Sequence, residues 1–106
     1  MQSEKIEFEY CKLGDDIPKV SCVYLLMNGN ELNYVGETIN LRYRMSDHRR
    51  KITEWNEIFE SIWYLSIEDD TKRKEMERRL ILEFEPKWNY NTTPFTKPVP
   101  KPYTCR

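Results

Sequence analysis

The sequence predicts an α+β fold with a small, mainly antiparallel sheet. Two apolar runs, 22–27 (CVYLLM) and 31–36 (ELNYVG), flank Asn28-Gly29-Asn30, whose residues tolerate the backbone of a tight hairpin turn. After Gly36 the apolar period changes from strand-like to helical. A second strand-to-helix change follows, from an aromatic run at 58–67 into a segment closed by Pro86. A chain of 106 residues makes one domain with a modest core.

Residues 1–21 begin with the alternation Ile6, Phe8, Tyr10 against Glu7 and Glu9, which suggests a short half-buried strand or an extended arm. The hairpin follows. Gly36 closes its second strand, where the missing Cβ permits a tight turn or the close approach of another backbone. Thr38 or Asn40 can cap the next helix. On it Leu41, Met45, His48 and Ile52 recur at i, i+4, i+7 and i+11, one helical face, and the helix is expected to end near Ile52. Residues 58–67 (IFESIWYLSI) read as a third strand. Glu68-Asp69-Asp70-Thr71 is a helix start, with Asp70 or Thr71 as cap, and the helix spans 71–85. Residues 94–106 are rich in proline and aperiodic, which predicts an irregular extended tail. The domain itself is expected over 22–93.

A hydrophobic fraction of 39% suits a globular protein. Cys11, Cys22 and Cys105 lack paired spacing, which argues against a disulfide framework or a zinc site and suggests reduced thiols. The charged N-terminus has no signal-peptide pattern and no apolar run is long enough to span a bilayer. The expected setting is therefore the cytoplasm, of a bacterium or of a virus-infected host cell, with no membrane partner. The net charge is −1, yet the charge is segregated. Arg42, Arg44, Arg49, Arg50 and Lys51 make 42–51 basic, 72–79 is basic, and 54–70 is acidic. Such patches fit a polyanion partner, and they also fit solvated helix faces.

Three constellations could carry chemistry. Glu77 points to the apolar side of its helix, because Ile81 and Phe84 follow it at i+4 and i+7. A carboxylate there suits a boundary salt bridge with Arg44 or a neighbour, or a divalent cation held by one carboxylate, waters and a substrate phosphate. Arg44 and His48 are four apart on one helix. Arg44 can grip a phosphate with two parallel hydrogen bonds, and His48 can exchange a proton near neutral pH or be a satisfied helix residue. Tyr24 and Tyr34 lie on adjacent hairpin strands. They can pack across the strands, or orient an attacking water.

Taken together, these residues resemble the GIY-YIG nuclease family. Val23-Tyr24 stands where that family has the end of its first tripeptide, and Tyr34-Val35-Gly36 where it has the second. Arg44, within Asn40-Leu41-Arg42-Tyr43-Arg44, matches the family's arginine and His48 a histidine often found four positions on. Met76-Glu77-Arg78-Arg79-Leu80-Ile81 matches the metal-binding glutamate with its Leu-Ile pair, and Pro86-Lys87-Trp88-Asn89 the closing Pro-x-x-Asn. The resemblance covers about Cys22 to Asn89. It implies a three-stranded antiparallel sheet flanked by helices and cleavage of DNA phosphodiesters with Mg²⁺ or Mn²⁺. Tyr24, Tyr34, Arg44, His48 and Glu77 would be catalytic, with Glu77 holding the metal. Arg42, Arg49, Arg50, Lys51 and Asn89 would contact or support the nucleic acid. Two positions depart from the pattern: Cys22 replaces a glycine, and Glu37 stands where some members carry lysine. The implied alternative is a catalytically weakened nucleic-acid-binding or adaptor module. Specificity would come from the domain itself, from a homodimer, or from a partner protein.

Overall fold

The computed structural model describes residues 6–12, 16–51, 59–86 and 103–105, the side chains of 47–51 and 103–105 excepted. In chain order the elements are β1 (Ile6–Lys12), β2 (Cys22–Asn28), β3 (Glu31–Thr38), α1 (Leu41–Lys51), β4 (Ser61–Ser66), α2 (Asp70–Phe84) and β5 (Tyr103–Cys105). The strands form one sheet in the order β3-β2-β4-β1-β5. The pairings β2–β3, β2–β4 and β1–β4 are antiparallel, whereas β5 runs parallel to β1. The expected α+β class holds. The sheet is larger than the expected three strands because both arms join it: β1 pairs with β4, and the tail contributes β5. The remainder of the 94–106 tail lies outside the described residues.

The hairpin turns at Gly29, whose φ of 63° costs glycine little, and Gly29 N–H donates to the Glu60 carboxylate at 2.9 Å. The register of β2 against β3 shifts between Leu26 and Met27: Leu26 faces Tyr34, while Met27 faces Leu32. Strand alternation divides the buried side chains into two clusters. Val23, Leu25, Met27, Leu32 and Val35 pack with Ile6, Phe8 and with Leu80 and Phe84 of α2. Cys22, Tyr24 and Leu26 pack with Ile62, Phe59 and with Leu41 and Met45 of α1. One helix therefore covers each face of the sheet. In β1 the alternation holds: Ile6 and Phe8 face the α2-side cluster and Cys11, of opposite parity, faces the α1-side one, while Tyr10 is exposed.

Asn40 caps α1, its Oδ1 accepting from Tyr43 N–H at 3.1 Å, while Thr38 Oγ1 accepts from Asn40 N–H at 3.1 Å. The two expected caps thus act in series. For α2 the cap is Asp69, not Asp70 or Thr71: its Oδ2 accepts from Lys72 N–H at 2.8 Å. Asp70 is occupied elsewhere, by Arg73. The helix ends at Phe84 with Glu85 in the left-handed conformation (φ 47°), and Glu85 N–H donates to the Ile81 carbonyl.

Candidate active site

Tyr24 and Tyr34 sit on neighbouring strands on the α1 side of the sheet, their ring centroids 6.1 Å apart and their planes tilted by 40°. Tyr24 is 1% exposed and Tyr34 is half-buried. The space for the Tyr24 ring comes from Gly36, directly opposite it in the β2–β3 register. A Cβ on Gly36 would lie 2.5 Å from both Cζ and Oη of Tyr24, so no larger residue fits here without displacing the ring. Gly36 therefore accommodates a close approach, but by a side chain rather than by backbone.

The two phenols are protonated at neutral pH. Burial is the main cause raising Tyr24 well above the usual phenol range, with Tyr34 beside it adding to the effect. Tyr34 is raised as well, by burial first and then by the negative charge of Glu77. Arg44 and a hydrogen bond from Tyr24 work in the opposite direction. These couplings bring Tyr24, Tyr34, Arg44 and Glu77 into one electrostatic unit around β3, an edge strand of the sheet. Arg44 comes from the first turns of α1 and is exposed. Glu77 comes from α2 on the other face and is half-buried. Desolvation raises its carboxyl above the usual range, Glu37 raises it further, and Lys74 and Arg44 offset part of the shift.

Of the other expected site residues, Arg42 is engaged within the chain: its Nε donates to the Ile17 carbonyl at 2.6 Å, and its guanidinium lies 3.7 Å from Asp16. It ties α1 to the segment before β2. The side chains of His48, Arg49, Arg50 and Lys51, and the whole of Asn89, lie outside the described residues. Cys22 is fully buried within the α1-side cluster. Burial pushes its thiol up to about 12, against a smaller lowering by Arg73.

The residue that sequence reading missed is Arg73, 2% exposed. Its Nε donates to Glu37 and its Nη2 to Asp70, each at 2.6 Å, while Nη1 reaches the carbonyls of Ile67 and Glu68 at 3.4 and 3.3 Å. A signal was available: Arg73, Glu77, Leu80 and Phe84 fall at i, i+4, i+7 and i+11, so Arg73 belongs to the inward face and not to the basic outer one.

The donor chemistry fits a hard divalent cation. Glu77 is a half-buried carboxylate whose charged form is disfavoured by desolvation and by a second carboxylate, Glu37. Among the described residues no group of three or more His, Cys, Asp or Glu side chains could hold a metal ion. A cation here would depend on Glu77 with water and substrate oxygens, the usual manner for Mg²⁺.

The profile of the GIY-YIG catalytic domain matches residues 20–91. The UvrABC system protein C of Fusobacterium nucleatum subsp. nucleatum is 32% identical over 93 residues, covering 77% of this chain. The match takes in 16% of that relative's length. Among solved structures, the magnesium-bound GIY-YIG N-terminal endonuclease domain of UvrC from Thermotoga maritima superposes with a TM-score of 0.61 at 22% identity. That match covers 69% of this chain and 86% of that one. A point mutant of the same domain, bound to its catalytic divalent cation, gives 0.62 at 19% identity with the same coverage. The structural likeness concerns the fold, and the profile match spans most of the chain. The chain belongs to the GIY-YIG catalytic-domain family.

Proposed function

We propose that this chain is an endonuclease that hydrolyses phosphodiester bonds in DNA with Mg²⁺ or Mn²⁺. The observation that carries the reading is that Tyr24, Arg44 and Glu77, from three separate elements, are each electrostatically coupled to others of a set that includes Tyr34 on β3. The relatives support it: the UvrC domain is described as an endonuclease bound to its catalytic divalent cation.

The roles follow from chemistry. Glu77 would hold the cation, which when bound supplies Lewis-acid stabilisation of charge on the phosphate oxygens. Arg44, exposed at the start of α1, would bind the scissile phosphate and stabilise the negative charge that builds on it as water attacks phosphorus. Tyr34, protonated at rest, would orient the attacking water through Oη. The Glu77 charge helps to hold that proton on; with the charge balanced, Tyr34 would release its proton to solvent or to His48 and, as a phenolate stabilised by the hydrogen bond from Tyr24, take the proton of the attacking water. His48 is a further proton acceptor in this proposal. A second copy or a partner protein would supply cleavage of the second strand or added specificity.

The test is nicking of supercoiled plasmid with and without Mg²⁺, repeated with Glu77→Ala and Arg44→Ala. The proposal expects cation-dependent nicking, lost in both variants while their circular dichroism stays native. Salt-sensitive DNA binding without cleavage in any divalent cation would instead favour the weakened binding module.

A further inference from the structure

Glu37 follows Gly36 on β3, and the network around it is unusually complete for a residue at a sheet edge. Arg73, itself almost entirely buried, donates to Glu37 Oε1 at 2.6 Å. Lys74 Nζ lies 3.7 Å from Oε2. Arg73 and Glu77 are four apart on α2, hence neighbours on one helix face, and the helix that grips Glu37 also presents Glu77.

Two features argue that this arrangement serves the site rather than stability alone. A buried arginine–carboxylate pair adds little over an apolar pair of the same volume, since desolvation consumes most of the attraction. The guanidinium is also shared, bonding Asp70 and Glu37 at the same 2.6 Å, so it does not neutralise both carboxylates. With Lys74 displaced, Glu37 carries net negative character next to the helix face that presents Glu77. Its Oε2 is covered by the longer contact, to a lysine whose side chain is 63% exposed and readily displaced.

We propose that Glu37, fixed by Arg73, is a positioning carboxylate for the divalent cation at Glu77, accepting hydrogen bonds from its bound water through Oε2 once Lys74 moves aside. This rests on the assignment of Glu77 as the cation ligand. Glu37 contributes the second negative charge that one glutamate lacks against a divalent ion, and Arg73 prevents it from swinging in as a direct ligand.

The experiment is titration of the intact chain with Mn²⁺ alone, followed by the electron paramagnetic resonance of the free ion. The proteins are the parent, Glu77→Gln, Glu37→Gln, Lys74→Met and the Glu37→Gln/Lys74→Met double variant. Urea unfolding checks each fold, and Glu37→Gln keeps an oxygen acceptor for Arg73. The expected result is loss of measurable binding in Glu77→Gln and binding about 10- to 100-fold weaker in Glu37→Gln, the usual range for an outer-shell partner. Lys74→Met should bind more tightly, with most of the gain missing in the double variant, because Lys74 competes for Glu37. Glu37→Gln binding like the parent, while Glu77→Gln does not bind, overturns the role of Glu37 alone. Undiminished binding in Glu77→Gln, or none in the parent, overturns the Glu77 assignment and this proposal with it.

Discussion

Replacing Gly36 by alanine tests how closely the hairpin is fitted to its tyrosine. The added Cβ would lie 2.5 Å from Tyr24 Cζ and Oη and 2.9 Å from Cε1. Ordinary contact begins near 3.4 Å, so the ring or the strand must move by about 1 Å. The ring cannot simply swing into solvent, because Tyr24 is 1% exposed and packed among Leu26, Leu41 and Met45. Overpacking of this kind costs about 1–3 kcal/mol. In the proposed reaction the same movement displaces the hydrogen-bond donor of Tyr34, and a misplacement of about 1 Å costs on the order of 100-fold in rate. Urea unfolding reads the first quantity and the plasmid-nicking rate the second. The clash involves only the outer ring atoms, so in a Tyr24→Leu background Gly36→Ala should cost far less stability than in the parent. An alanine variant with parental stability and rate would refute the fit argued for Gly36. So would an equal stability cost with and without the Tyr24 ring.

Arg73→Met removes the buried partner of Glu37 and leaves four acceptors to reorganise, so it should destabilise the fold by about 3 kcal/mol, read as a lower urea midpoint with unchanged slope. Cys22 should resist iodoacetamide in the native protein at pH 8 and react once urea unfolds it, since the buried thiol is raised from 9.0 to about 12. The folded chain therefore keeps a proton that the unfolded chain loses. The stabilisation is complete below about pH 9 and is lost as pH rises toward 12, so the urea midpoint should fall over that window, less steeply in Cys22→Ala.

The hairpin and both helices were legible because their signals are local: Asn-Gly at the turn, apolar period for strand and helix, Pro86 after the second helix. The arms were not. Only pairing with β4 makes β1 an interior strand, and only pairing with β1 makes residues 103–105 a strand, and neither partnership is written in the segment itself. Glu77 could be singled out by its place on the apolar side of its helix, whereas Tyr24, Tyr34 and Arg44 stood out only through their joint spacing, which resembles the family motif. Arg73 could not be recognised by type, since its neighbours Lys72, Lys74, Arg78 and Arg79 are also basic and exposed. Only its phase on the helix distinguishes it. The role of Glu37 depended on finding Arg73, and Gly36 became intelligible once Tyr24 was seen opposite it.

The central claim is that a divalent cation and a scissile phosphate meet between Glu77 and Arg44. A crystal structure with Mn²⁺ and a short DNA oligonucleotide, read by anomalous scattering, tests it most directly. The account predicts a manganese peak at the Glu77 carboxylate, with a backbone phosphate contacting both the ion and the Arg44 guanidinium and with Tyr34 Oη facing that phosphate. DNA bound with no ion at Glu77, or with its phosphates held away from Arg44 and β3, would contradict it.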